Sequence, residues 1–292
     1  MSYPLEDLPW LPLPASDFKA QCLQLPAVPH PWQGAMRLAT ARLDNRQLTT
    51  LSRACSGLLA QGGEHDAGRA LRPFKLALTG NGTLDMLVPV LHASGLRHGL
   101  RLEVSLGGFN QTAMEAMNPT SPLLANEPDG VLMFLDHQGL SLNGADTGGN
   151  DPAPADKALQ HLTHLAAALR QNGVKTILVQ TIAVPPLAPL GHLESQIPQG
   201  LPNQVDQFNQ LLRAHARAQG WVLLDLAHLV AQIGASRWFD PVKWFLAKMP
   251  FDPAFLPLYG DHVCRLLCAA VGQARKCLVL DLDHTLWGGG DR

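Results

Sequence analysis

From Phe74 onward the chain alternates short apolar runs of strand length with longer segments of helical period, and this alternation restricts the fold more than any other feature. Phe74 to Thr79, Leu100 to Leu106, Val131 to Leu135, Ile177 to Thr181 and Trp221 to Leu226 read as strands. Leu100, Leu102, Val104 and Leu106 alternate with polar residues, whereas Val131 to Leu135 is apolar throughout, as in a strand covered on both faces. Helical segments lie between: Thr83 to about Arg97, Asp156 to Asn172, Val205 to Gln219 and Pro253 to Val271. Thr83 is placed to cap the first, and Pro89 inside it predicts a kink. Leu159, Leu162, Leu165, Ala166 and Leu169 share one face of the second. Gly173 and Gly220 close the second and third. Strands and helices in this order give an α/β fold: a three-layer, doubly wound parallel sheet of about five strands over residues 74–271, with helices on both faces.

Residues 1–70 read as a helical N-terminal extension. Pro4, Pro9, Pro12, Pro14, Pro26, Pro29 and Pro31 break up its start, helical spacing begins at Trp32, and Ala60 to Arg69 is a glycine-rich loop. Residues 71–272 form the α/β domain, and 273–292 open a further unit. A chain of 292 residues, 46% of them hydrophobic, has ample material for a buried core. The formal charge of −2, without basic runs, points to neither nucleic acid nor an anionic membrane as a partner. No apolar run approaches the ~18 residues of a membrane span. Met1 to Asp7 lacks the basic region and apolar core of a signal peptide. Cys22, Cys55, Cys264, Cys268 and Cys277 are scattered and odd in number, which fits reduced thiols and a cytoplasmic protein. Cys264 and Cys268 share a helix face, with no second pair to complete a metal site, and the histidines form no HxH or HExxH pattern.

Two long connections stand out. Pro185 to Gln204 follows the fourth strand and should overhang the C-terminal edge of the sheet; loops of this length are functional or disordered. Arg237 to Pro253 holds Trp238, Phe239, Trp244 and Phe245, aromatics that would hold a loop against the core, with a partner surface as the alternative.

The most chemical stretch is Lys276-Cys277-Leu278-Val279-Leu280-Asp281-Leu282-Asp283-His284-Thr285-Leu286-Trp287-Gly288-Gly289. An apolar strand here ends in two carboxylates at i and i+2 and a hydroxyl, brought together at a strand tip. Such carboxylates divide labour, one attacking or binding a cation and the other exchanging a proton.

That stretch resembles motif I of the haloacid-dehalogenase (HAD) superfamily, in particular its FkbH-like subfamily, phosphatase subclass IIIC. Residues 74 to about 271 resemble the SGNH-hydrolase-like domain that precedes the HAD domain in those proteins. The matching stretches are Leu78-Thr79-Gly80-Asn81-Gly82-Thr83-Leu84, Pro128-Asp129-Gly130-Val131-Leu132, Phe208-Asn209-Gln210-Leu211-Leu212, and Trp238-Phe239-Asp240 with Leu246-Ala247-Lys248-Met249-Pro250-Phe251. The resemblance implies that Asp281 is the nucleophilic or phosphate-handling carboxylate and a Mg²⁺ ligand. It makes Asp283 the general acid/base, also bound to Mg²⁺, with Thr285 supporting the loop and facing substrate. Gly80 and Asn81 are further candidate substrate contacts. His284 departs from the Asn expected there. The implied reaction loads a glyceryl unit from a phosphorylated glycerate donor onto the phosphopantetheine thiol of an acyl carrier protein, as in polyketide biosynthesis.

Active SGNH hydrolases carry a nucleophilic Ser after the first strand, at a helix N-terminus that favours a developing anion. Gly82 stands at that position here, with Thr83 beside it. Their partner His sits in a DxxH motif, for which the candidates are Asp240 with Lys243, or Asp261-His262. The plainer reading of Asn81-Gly82 is a turn able to adopt positive φ. Three functions compete: an FkbH-like phosphatase or glyceryltransferase of which this chain is the N-terminal portion, an inactive SGNH-like module that docks a carrier protein or positions a partner, and an active esterase using Thr83 or another hydroxyl. The strand at Lys276 lacks the neighbours of a complete HAD domain, so residues 276–292 are expected to be poorly ordered or to lie on a neighbouring surface, with Asp281 and Asp283 holding no tight Mg²⁺.

Overall fold

The computed structural model describes residues 4–60, 71–142, 153–187 and 189–273. Its strands are β1 (Arg72–Gly80), β2 (Leu100–Leu106), β3 (Gly130–Phe134), β4 (Thr176–Gln180) and β5 (Val222–Leu224). They form one sheet in the order β2-β1-β3-β4-β5, with every neighbouring pair parallel, as the alternation predicts. The order reverses between β1 and β3, where open α/β sheets leave a crevice beyond the strand ends.

Side chains two apart along a strand share a face, and this divides the core in two. Leu76 and Leu78 of β1, Leu132 and Phe134 of β3 and Leu178 of β4 face one way. Helices α1 (Phe18–Gln24), α2 (Pro31–Ala39), α3 (Asn45–Ala60) and α4 (Leu87–Arg97) contribute to that core. Ala77, Val131, Met133, Ile177 and Val179 face the other way, toward α5 (Thr112–Met117), α6 (Pro154–Gln171) and α7 (Leu201–Gln219). Beyond β5 come α8 (Leu226–Ile233), α9 (Ala235–Trp238), α10 (Pro241–Ala247) and α11 (Leu256–Ala270); α8 and α11 return to the first core. The N-terminal helices are built into this core, since Trp32, Leu48 and Leu51 are buried alongside Leu76.

Several expectations are corrected. Helix α4 starts at Leu87 rather than Thr83, and Thr83 caps nothing, because its hydroxyl donates to the Ala247 carbonyl. Pro89 then falls in the first turn of α4, where a missing N–H costs the helix no bond, so the reason for a kink disappears. Helix α7 starts at Leu201 and α6 at Pro154, each with proline in the first turn, where its fixed φ suits the helix. Helix α1 forms within the proline-rich start that read as broken. The connection after β4 holds a 3-10 turn, Gly191–Gln196, tied to α7 by Asn203 Nδ2 donating to the Ser195 and Ile197 carbonyls. Gly220 does end α7, in the left-handed conformation at φ 65°.

The aromatic loop is corrected too. Of its four aromatics Trp238 is buried in the core, stacking on Phe251 with centroids 4.5 Å apart, and Phe239 packs half-buried against it. The following residues coil into α10, because the Asp240 carboxylate accepts the Val242 and Lys243 N–H groups as a cap. Phe245 is left 74% exposed.

Candidate active site

Gly80 ends β1 so close to β3 that a β-carbon on it would lie 2.0 Å from the Phe134 carbonyl oxygen. Only glycine permits that approach. Asn81 then crosses the reversal point. Its Nδ2 donates to Asp136 Oδ1 at 2.6 Å, and the Asp136 N–H donates back to Asn81 Oδ1 at 3.1 Å. The same Asp136 oxygen accepts the Gln138 and Gly139 N–H groups at 2.8 and 2.9 Å. Both proposed substrate contacts after β1 thus hold the strand tips together. Asp136 was not singled out from the sequence; the available signal was an acidic residue ending the apolar run of β3.

The position that the hydrolase resemblance assigns to a nucleophile is covered. The Thr83 N–H donates to the Lys248 carbonyl at 2.9 Å and its hydroxyl to the Ala247 carbonyl at 2.6 Å. A β-carbon on Gly82 would meet both Lys248 O and Pro250 Cβ at 3.3 Å. The end of α10 therefore lies over Gly82 and Thr83. Beside them is a small cavity of about 260 Å³ lined in part by Gly107 and Gly108. The amides of those glycines are already engaged, Gly107 with the Leu78 carbonyl and Gly108 with the Glu115 carboxylate.

The candidate base position at Lys243 is locked. Lys243 Nζ donates to Asp240 Oδ2 and Asp252 Oδ2, each at 2.8 Å. The hydrogen bond to Asp240, then that to Asp252, hold the Lys243 ammonium above its ordinary pKa. The bond from Lys243 in turn holds the Asp240 carboxyl below its own. A protonated lysine has three donors and no acceptor, so it takes no proton from a hydroxyl. The other candidate, Asp261-His262, lies in α11, where Asp261 is fully buried and bound to Arg97, His98 and Arg265 at 2.6, 2.9 and 2.8 Å. Arg97 and His98 immediately precede β2, so this cluster sits at the opposite edge of the sheet.

A Ser–His contact that sequence reasoning missed also fails as a relay. Ser52 Oγ lies 3.1 Å from His92 Nδ1, beside a cavity of about 240 Å³. The Val104 N–H can only donate, and it donates to Nε2, so the ring carries its proton on Nδ1 and gives it to Ser52. Burial lowers the His92 pKa and keeps the ring neutral. In the same cavity, burial pushes the Cys55 thiol up to about 12, far from a reactive thiolate.

The large opening lies between the β3 tip, the connection after β4, and α10. It is a cleft of about 570 Å³ with walls of Pro185, Pro186, Leu190, Trp244, Phe245 and Met249. Its polar groups are Asp136, His137, Gln138, Glu194, Gln199 and Asp240. Burial lowers the His137 pKa against the opposing charge of Asp136. Among the described residues no cluster of three His, Cys, Asp or Glu side chains is placed for a metal. Asp281, Asp283 and Thr285 lie outside the described residues.

The profile of the family described as FkbH, N-terminal domain, matches residues 75–268, well over half of the chain. The chain belongs to the FkbH family. Among solved structures, this FkbH-family chain is similar to the N-terminal part of the protein BF1531 from Bacteroides fragilis, which contains a phosphatase domain and was crystallised with Mg. The TM-score is 0.63 at 22% identity, a likeness of fold. It covers 77% of this chain and 61% of that one, so the chain spans about three fifths of the Bacteroides protein's length in that structure. Lesser likenesses are to LAE5, an alpha/beta hydrolase from the metagenome of Lake Arreo in Spain (TM-score 0.44, 15% identity, 69% of this chain and 96% of that one), and to a catalytic mutant of Axe2, an acetylxylan esterase from Geobacillus stearothermophilus (0.43, 14%, 69% and 95%). No curated protein matches the chain. No helix among the described residues is long and apolar enough to cross a membrane.

Proposed function

We propose that residues 71–272 are a non-hydrolytic binding module of an FkbH-like protein whose chemistry belongs to Asp281-Leu282-Asp283-His284-Thr285. The observation that carries this reading is the double occupation of the hydrolase site: Ala247 and Lys248 take both hydrogens of Thr83, and Lys243 is held protonated where a base is needed. A Ser–His relay needs a free hydroxyl in contact with a neutral base. The esterase reading has neither in Thr83 and Lys243.

In this reading the FkbH-like protein moves a glyceryl unit from a phosphorylated glycerate to the phosphopantetheine thiol of an acyl carrier protein, with loss of phosphate. Two carboxylates and a hydroxyl are the hard oxygen donors that Mg²⁺ takes, so Asp281 and Asp283 are the residues that would hold it. When bound, the ion would neutralise phosphate charge. Asp281 meets the donor, and Asp283 holds or returns a proton at the leaving oxygen. Intact-mass analysis of a phosphopantetheinylated carrier protein, incubated with the protein, Mg²⁺ and a phosphorylated glycerate, tests this. A glyceryl adduct that Asp281→Asn abolishes and Thr83→Ala leaves unchanged is the result predicted. An adduct that survives Asp281→Asn but is lost with Thr83→Ala would move the chemistry into the α/β domain.

A further inference from the structure

We infer that the cleft beside α10 is a binding site for a small organic amine: an apolar body carrying an ammonium group. Its volume of about 570 Å³ is that of a small-molecule site. Asp136, Glu194 and Asp240 are its charged lining groups, and no Lys or Arg among the described residues lines it. Asp240 is neutralised by Lys243. Asp136 and Glu194 have no ion-pair partner among the described residues.

Glu194 is the sharper observation. It is only 9% exposed, yet its carboxylate receives a single long bond, from the Leu190 N–H to Oε1 at 3.3 Å. Every bond to the Asp136 side chain ends on Oδ1, which leaves Oδ2 without a donor among the described residues. Asp136 is half-buried, so Glu194 is the carboxylate held nine-tenths out of water without a countercharge among the described residues, a costly arrangement. A ligand that brings an ammonium supplies both charge and donors, whereas a phosphate or carboxylate ligand meets like charge. The inference concerns the cleft alone and stands or falls independently of glyceryl transfer.

Isothermal titration of the 292-residue chain with 2-phenylethylamine, 2-phenylethanol and phenylacetate, matched in size and differing in charge, tests it. The amine should bind at least tenfold more tightly than the alcohol, with phenylacetate showing no heat. Glu194→Gln and Asp136→Asn should each weaken the amine severalfold and leave the alcohol unchanged. Leu190→Trp, on a wall residue 57% exposed and therefore tolerant of exchange, should weaken both amine and alcohol. Equal affinity for phenylacetate, no binding of any of the three, or an amine affinity untouched by Glu194→Gln would overturn the assignment.

Discussion

Asp261 is fully buried in α11, and the side chains of Arg97, His98 and Arg265 converge on it. Burial alone would raise its pKa. The hydrogen bond from His98 and the charges of Arg97, His98 and Arg265 outweigh it and bring the carboxyl down to about 2. A depressed folded-state pKa adds stability that is fully present above the unfolded value near 4 and lost as pH falls through about 2. Acid titration of the thermal midpoint should therefore show a fall between pH 4 and pH 2, worth about 2 kcal/mol for this group. Asp261→Asn should cost roughly 3–5 kcal/mol in urea unfolding, because it leaves the buried Arg97 without its partner, and should remove that acid-sensitive step. A second buried contact is as specific. Asn209 donates to the Ile182 carbonyl and accepts its N–H, both at 2.8 Å. Asn209→Leu should destabilise by roughly 2–4 kcal/mol, since both backbone groups lose their partner away from water. Neither role was legible beforehand, because Asp261 and Asn209 acquire their partners only through tertiary approach.

The strands were legible to within two or three residues, since the inner strands of a parallel sheet demand apolar runs and edge strand β2 shows the alternation of a half-covered one. The helix starts were not. Proline reads as a breaker, but Pro31, Pro154, Pro202 and Pro241 all stand in first turns, where no N–H is needed. Helix α10 shows the same limit. Its aromatics looked like core residues, yet an Asp240 cap turns the segment into a helix whose Val242, Phe245 and Leu246 are exposed. Trp238→Ala should cost roughly 3–5 kcal/mol, as for a buried aromatic, and Phe245→Ser less than about 0.5 kcal/mol. Chemical denaturation of the two variants separates a core role from a surface role.

Across the molecule, the fold followed from the strand–helix order, and the order reversal between β1 and β3 fixes where a site must lie. What occupies that place was only half legible. Gly82 and Lys243 could be seen to depart from a Ser and a His, but the folding of α10 over Thr83 and the bridging of Lys243 between Asp240 and Asp252 could not, since both depend on residues far apart in sequence. Together they define a parallel α/β domain in which Thr83 and Lys243 are both engaged by neighbouring groups. Initial-rate hydrolysis of p-nitrophenyl acetate by the chain, beside Thr83→Ala and buffer, tests this most directly. The prediction is one rate for all three. Turnover by the chain above buffer that disappears in Thr83→Ala would contradict it, and would show Thr83 to be a working nucleophile.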